Sequence, residues 1–433
     1  VPEVPAIAFV TLGCPKNEVD TDRMAAAVSS SAYRLVDDIT DADAVVLNTC
    51  AFIQPATEEA IAEFFSLHTE WRPARLGRRI IVAGCLPSRY GEELRDALSE
   101  ADAFLPVTAE GGLLATLEEL FGSPAQAASG PGRLTPGSTA YLKVSEGCDR
   151  RCAYCTIPAI RGPFVSAPLD ALVDEARWLI DHGARELVLV GQDIASYGVD
   201  LAAGEDLATL VRRLDALDGD FRLRLMYVQP DGVTDTLLNT LASASHVCRY
   251  LDIPLQHASG PVLDAMGRTG DAAAHLSLVD RVRSALPGVV LRTTIMTGFP
   301  GETDVDARIL EEFLAEAELD YVGVFTYSPE EGTVAASLPD QVDPAVAEER
   351  AQRVRDIADS VGFARAAAAV GTRQRVLIEG VDEDGELFGR TCGQAPEVDG
   401  VTLVDTDVSV GDFIDLTITD SLGYDLIGEV TDA

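Results

Sequence analysis

The sequence predicts an α/β chain in three parts: an N-terminal α/β domain on a parallel sheet, a central partial (β/α)6 barrel, and a small C-terminal antiparallel β-barrel. Three observations predict it. Through residues 1–122, apolar runs alternate with helical stretches at the spacing of one strand–helix unit, which implies parallel strands. A stretch rich in Gly, Pro, Ser and Ala, 123–138, then interrupts the pattern, and the alternation resumes beyond it. From residue 372 on, the texture changes to short alternating runs between Gly turns, the mark of a small all-β module.

In the N-terminal part, Ile7–Leu12 runs into Gly13-Cys14, Val45–Leu47 into Asn48-Thr49-Cys50, and Ile80–Ala83 into Gly84-Cys85. The three cysteines are 36 and 35 residues apart. Helical stretches fit at Asp20–Ser30, Thr57–Leu67 and Glu92–Leu98. Ligands of parallel sheets bind beyond the carboxyl ends of the strands, so Cys14, Cys50 and Cys85 should converge. A lone Cys after a strand is more often a small buried hydrophobe. The same position in three successive units points instead to a metal site, and three thiolates suggest a 4Fe-4S cluster with one iron left open. Gly13 and Gly84 suit backbone that passes close to such a group.

The central part offers strands at Tyr141–Val144, Glu186–Val190, Arg222–Tyr227, Tyr250–Ile253, Val289–Ile295 and Tyr321–Tyr327. Helical patterns fall at Leu169–Asp181, Leu207–Leu217, Thr234–Ala242, Ala272–Leu286 and Val305–Ala317. Directly after the first strand comes Gly147-Cys148-Asp149-Arg150-Arg151-Cys152-Ala153-Tyr154-Cys155, a C-x3-C-x2-C loop at the end of a barrel where active sites are built. Three thiolates in eight residues suit one inorganic centre. A structural zinc site would want a fourth ligand, and no Cys or His stands nearby; a 4Fe-4S cubane would keep an open iron able to bind a small molecule.

With an aromatic just before its last cysteine, this loop resembles the cluster loop of the radical S-adenosylmethionine (SAM) enzymes. Two three-cysteine sets in this order resemble the methylthiotransferase family over essentially the whole chain. The resemblance implies two 4Fe-4S clusters, with Cys148, Cys152 and Cys155 binding SAM through the first and Cys14, Cys50 and Cys85 holding the second. It implies a methylthiotransferase domain at 1–122, a linker at 123–138, a radical SAM core at 139–342, a helical connector at 343–371 and an OB-like TRAM domain at 372–433. Gly191-Gln192-Asp193, Pro254-Leu255-Gln256-His257 and Thr297-Gly298-Phe299-Pro300-Gly301-Glu302 resemble family segments at strand ends. Gln192, Asp193, Gly298, Gly301 and Glu302 are therefore expected near SAM, whereas His257 taken alone reads as a hydrogen-bonded structural histidine. Arg161–Pro168 also follows the family, except that Ala167 stands where the family usually has Arg. Cys248 and Cys392 belong to neither set and read as incidental.

Gly13-Cys14-Pro15-Lys16-Asn17 and Asn48-Thr49-Cys50-Ala51-Phe52-Ile53 resemble the subgroup that modifies an aspartate of small-subunit ribosomal protein S12. The subgroup that modifies transfer RNA adenosine usually carries Met at the place of Lys16. The implied reaction begins with a 5′-deoxyadenosyl radical that removes a β-hydrogen from the aspartate, a step beyond ordinary acid–base side chains. Sulfur from the second cluster and a methyl group from another SAM follow, with an external electron donor. A non-catalytic iron–sulfur electron-transfer protein is the alternative of another class.

The formal net charge is −38, which repels phosphate backbones and attracts basic partners; a salt or solubility adaptation would produce the same composition. Lysine occurs only at Lys16 and Lys143. The segment 372–433 carries three Arg, no Lys and fifteen Asp or Glu, a net of −12. RNA-binding modules show a basic stripe, so direct RNA binding is disfavoured and a basic ribosomal protein, free or in the small subunit, is the better-matched target. No run of about 18 apolar residues occurs, and no basic segment leads into an apolar one at the start; a cytoplasmic protein without membrane contact is expected.

Overall fold

The structure, a computed structural model, describes residues 4–122, 132–134, 136–201, 204–382, 385–406 and 408–430. Most of the expected linker, 123–138, lies outside the described residues. The chain packs as two compact units: residues 1–135 with 146–150 and 155–165, and residues 136–145 with 151–154 and 166–433.

The first unit holds a parallel sheet of β1 (Ala6–Thr11), β2 (Arg34–Leu35), β3 (Ala44–Thr49), β4 (Arg79–Gly84) and β5 (Ala103–Pro106), in the order β2-β1-β3-β4-β5. Its helices are α1 (Pro15–Ser29), α2 (Gln54–Ser66), α3 (Cys85–Ala97) and α4 (Leu113–Phe121). Both faces are covered, so the strands are apolar at successive positions rather than alternating. Val45, Leu47, Ile80 and Val82 pack on one face with Phe64, and Val46, Ile81 and Ile7 on the other with Met24 and Leu117. The expected helix at Glu92–Leu98 is the second half of α3, which starts at Cys85 and breaks at Gly91, where φ is +51°. The periodicity did not reveal β2, because two residues carry no period.

The second unit opens with six parallel strands: β6 (Thr139–Lys143), β7 (Glu186–Val190), β8 (Arg222–Leu225), β9 (Tyr250–Asp252), β10 (Val290–Thr297) and β11 (Tyr321–Thr326). They form two groups of three, in the orders β8-β7-β6 and β9-β10-β11. Backbone bonds join the groups: Leu223 N donates to His246 O and Cys248 N to Leu223 O, each 2.8 Å. Helices α5 (Leu169–Asp181), α6 (Leu207–Asp215), α7 (Asp235–Ser243), α8 (Ala272–Ala285) and α9 (Asp304–Ala317) connect the strands and share one apolar core with them.

After α10 (Pro344–Ala367) comes a closed barrel of β12 (Arg373–Val381), β13 (Leu387–Thr391), β14 (Thr402–Val404), β15 (Phe413–Leu422) and β16 (Asp425–Val430), around Val376, Ile378, Val404 and Leu416. Four pairings are antiparallel and one, β14 with β16, is parallel. Alternation within each strand cannot reveal this, because it specifies faces and not directions.

A buried ionic web joins barrel to core. The fully buried Glu186 carboxylate accepts from Arg222 Nε (2.7 Å), Arg224 Nε (2.6 Å) and Arg390 Nη2 (2.9 Å). Burial alone would raise this carboxyl, but the three guanidinium groups hold it well below the usual carboxylate range.

Candidate metal centre

The registers of β1, β3 and β4 set Thr11 opposite Asn48 and Thr49 opposite Gly84, so three strands end level. Cys14 caps the start of α1, Cys50 follows β3 directly, and Cys85 is the first residue of α3. The three thiols are near enough to influence one another's ionisation. A Cβ on Gly13, whose φ is +101°, would lie 2.6 Å from Cys50 Cβ and 3.2 Å from Cys50 Sγ, so only glycine fits where these loops cross. Gly84 is closed in the same way by Asn48.

Side chains of each loop tie it to the others. Asn17 Nδ2 donates to Leu12 O (2.8 Å) and Thr49 O (3.0 Å), and its Oδ1 stands 3.8 Å from Cys85 Sγ. Asn48 Nδ2 donates to Asn17 O at 2.9 Å. Thr49 Oγ1 donates to Ala83 O (2.6 Å) and accepts from Leu86 N (3.2 Å). These polar residues follow from the position: strand ends buried under helices leave backbone groups that need partners.

Sequence reasoning gave Arg161 no role, and the structure gives it a central one. Its side chain is 1% exposed. Nη2 donates to Asn17 Oδ1 (2.5 Å), and Nη1 donates to Asp20 Oδ2 and Glu146 Oε1 (3.0 Å each). Burial works against its charge, but Cys85, Glu146 and Asp20 more than offset that and keep it cationic. Burial pushes the Cys50 thiol up and the Cys85 thiol up to about 12, with Arg161 opposing both shifts. Among the described residues, no three Cys, His, Asp or Glu side chains close around a single ion. A cubane spreads its thiolates over separate iron corners, so a donor set of two buried cysteines and one half-buried one beside a fixed cation fits a cluster. The signal that could have found Arg161 was its place in an otherwise apolar turn, Ile157–Arg161, buried after the second cysteine set.

Of that second set, Cys148 and Cys155 fall in the first unit and Cys152 in the second. Cys148 N donates to Gly162 O at 3.2 Å. Gly147 has φ +71°, and any Cβ there would strike the Pro163 carbonyl. Arg268 Nη1 stands 3.8 Å from Cys152 Sγ while Nη2 holds Pro254 O at 2.6 Å. Tyr154 packs edge-on to Phe299, centroids 6.5 Å apart.

The other expected contacts lie at strand ends of the second unit. Gln192 follows β7 with its buried Oε1 lacking a hydrogen-bond partner. Asp193 Oδ2 accepts from Ser196 Oγ at 2.8 Å. Glu302 Oε2 accepts from Gly298 N (2.5 Å) and Phe299 N (3.2 Å), and Arg350 Nη1 reaches its Oε1 at 3.3 Å. Gly301 N donates to Asp340 O at 2.9 Å. Glu302 is thus the clamp of the turn, and the N–H groups of Gly298 and Gly301 are already engaged. His257 is fully buried, its Nδ1 accepts from Ser259 N at 2.9 Å, and burial lowers it to about 4. Ala167 packs against the central core, its carbonyl accepting from Tyr197 Oη at 3.0 Å.

Family models match three stretches: the uncharacterized protein family UPF0004 at 6–106, the radical SAM superfamily at 142–314 and the TRAM domain at 370–431. The chain is 42% identical over 439 residues to the ribosomal protein uS12 methylthiotransferase RimO of Geobacter sulfurreducens, covering 98% of each chain. It is 38% identical over 436 residues to the protein of that name from Lachnoclostridium phytofermentans, covering 98% of this chain and 99% of the other.

The chain belongs to the RimO family.

Membership in RimO brings the radical SAM core and, with that superfamily, a 4Fe-4S cluster and SAM. Solved structures support the fold. The radical SAM methyltransferase TsrM from Kitasatospora setae aligns with TM-score 0.56 at 16% identity over 77% of both chains. The SAM radical enzyme OxsB aligns with TM-score 0.52 at 13% identity, over 77% of this chain and 55% of its own. Among the described residues no helix is long and apolar enough to cross a membrane.

Proposed function

We propose that this chain methylthiolates the β-carbon of an aspartate in ribosomal protein uS12. The observation that carries the reading is 42% identity to a uS12 methylthiotransferase across 98% of both chains. In this reading Cys148, Cys152 and Cys155 hold the cluster that binds SAM, and Cys14, Cys50 and Cys85 hold a second 4Fe-4S cluster. When bound, these groups supply one-electron cleavage of SAM, sulfur for transfer, and the methyl donor. The chain's own work is to bind and orient. Asn17 and Thr49 lock the three N-terminal loops together, and Arg161 sets a fixed positive charge beside Cys85. Gln192 offers its carbonyl to a donor such as the SAM ammonium. Gly298 and Gly301, held in shape by Glu302, present a rigid turn to the cofactor. Asp193 steadies the loop after β7 through Ser196.

The acidic C-terminal segment suits a basic ribosomal protein, free or in the small subunit, and does not suit RNA. A ribosomal target implies the cytoplasm, and an external donor must supply electrons. Anaerobic reconstitution, reduction and incubation with SAM and uS12, followed by mass spectrometry, tests the reading: a methylthio-sized gain on an aspartate is expected. 5′-Deoxyadenosine without modified uS12, together with methylthiolated transfer RNA, would assign the other substrate. No 5′-deoxyadenosine from a protein with both clusters verified would reduce it to electron transfer.

A further inference from the structure

Two cysteines outside both sets, Cys248 and Cys392, lie 144 positions apart in the chain, and the fold brings them together. Cys248 sits between β8 and β9, its N–H donating to Leu223 O at 2.8 Å. Cys392 directly follows β13 of the C-terminal barrel. Both are anchored on adjacent residues of β8, Cys248 on Leu223 and Cys392 on Arg224, and the two thiols are near enough to influence each other's ionisation. Their exposures differ. Cys248 is 2% exposed; Cys392 is half-buried and lines a cavity of about 310 Å³ with Arg249, Arg365, Gln394 and Tyr424. The backbone at Cys392 is fixed, because Arg224 Nη1 donates to its carbonyl at 2.9 Å. Arg224 is itself held by Glu186, so the pair rests on the ionic web between core and barrel.

We propose that Cys392 and Cys248 form a peroxide-responsive dithiol, in which Cys392 is the attacking thiol and Cys248 the resolving one, and that their disulfide clamps the C-terminal barrel to the core. The arrangement has the parts such a site needs: one accessible thiol of high thiolate character, a buried partner beside it, and an opening wide enough for a small oxidant. Cys248, with Arg222 and Arg224, holds the Cys392 thiol below its ordinary range, whereas burial pushes Cys248 up. The Cys392 thiolate attacks one oxygen of hydrogen peroxide and the O–O bond breaks, leaving a sulfenic acid and hydroxide. The Cys248 sulfur then displaces the sulfenic hydroxyl, which takes the Cys248 proton and leaves as water, and the proton that Cys392 lost on ionising neutralises the hydroxide. Two thiols lose two electrons and two protons, and the peroxide becomes two waters.

The test exposes the reduced protein, clusters loaded, to a graded series of hydrogen peroxide, then blocks free thiols and maps the peptides without reduction. A linked Cys248–Cys392 peptide should form at doses below those that consume the six other cysteines. Cys248→Ser should divert the product to a dimedone-reactive sulfenic acid on Cys392, and Cys392→Ser should slow Cys248 oxidation at least tenfold. If Cys248 and Cys392 are both still alkylated after the other cysteines have been lost, the proposal is overturned. The wild-type mapping decides this even if a variant fails to fold, and it does not depend on the methylthiotransfer assay.

Discussion

The two cysteine sets of this chain are built by opposite means. Cys148, Cys152 and Cys155 lie within eight residues of one loop. Cys14, Cys50 and Cys85 come from the ends of three strands and are gathered by the register of a parallel sheet. The first arrangement costs little chain entropy, because closing a short loop around three ligands restrains few residues. The second restrains three separate loops, and the structure shows what that requires: Asn17, Asn48 and Thr49 bond from loop to loop, and the Arg161 cation is buried among them. A local cysteine set can thus be seen in the spacing, while a distributed one is gathered by residues whose type gives no hint of that role.

Removing each set is the strongest way to break the comparison. Cys148→Ala/Cys152→Ala/Cys155→Ala should abolish both 5′-deoxyadenosine formation and methylthiolation. Cys14→Ala/Cys50→Ala/Cys85→Ala should retain 5′-deoxyadenosine formation, lose methylthiolation by at least about 100-fold and lose roughly four iron atoms per chain. Methylthiolation surviving in the second variant would remove the sulfur role from the N-terminal set.

Arg161→Gln comes next. It takes the cation away from the buried Asp20 and the half-buried Glu146, and losing one partner of a buried ion pair costs about 3–5 kcal/mol. Chemical denaturation should show that loss, and the N-terminal cluster should take up less iron and titrate at a lower potential by electron paramagnetic resonance. Arg161→Lys should recover most of the potential and part of the stability. A potential unchanged in Arg161→Gln would limit the residue to packing.

The pH axis probes the strand end that carries His257. Its folded value is lowered to about 4 from an ordinary 6.5. The unfolded chain therefore binds the extra proton first, so stability is complete above pH 6.5 and declines as pH falls toward 4. The whole effect is about 3 kcal/mol. Denaturation midpoints measured from pH 7 to pH 4 should lose this component in His257→Asn, whose side-chain oxygen can still accept from Ser259.

The smallest effect is expected for Thr49→Val. The change keeps the shape but removes the bonds to Ala83 and Leu86, at about 1–2 kcal/mol. Iron uptake by the N-terminal set should slow, while the loop set, which needs no such tether, loads at the wild-type rate. Equal slowing at both sets would erase the distinction drawn between them.

Much of the fold was legible before the structure. Strand–helix alternation places β1, β3 and β4 and all six central strands to within a few residues, because burial on both faces leaves continuous apolar runs. The convergence of Cys14, Cys50 and Cys85 was legible too, since level parallel strands must bring their ends together. The roles around them were not. Glu302 carries a motif that suggests ligand contact, yet both its oxygens are used inside the protein. Cys248 and Cys392 look unrelated in the chain and are partners in the fold.

Periodicity and identity along the whole chain already carry the class of architecture and the family. Tertiary structure alone decided which charges are buried together. Arg161 with Asp20 and Glu146, and Glu186 with Arg222, Arg224 and Arg390, become interdependent only when folding removes water from between them. That desolvation is a property of three-dimensional neighbours, and no one-dimensional pattern encodes it.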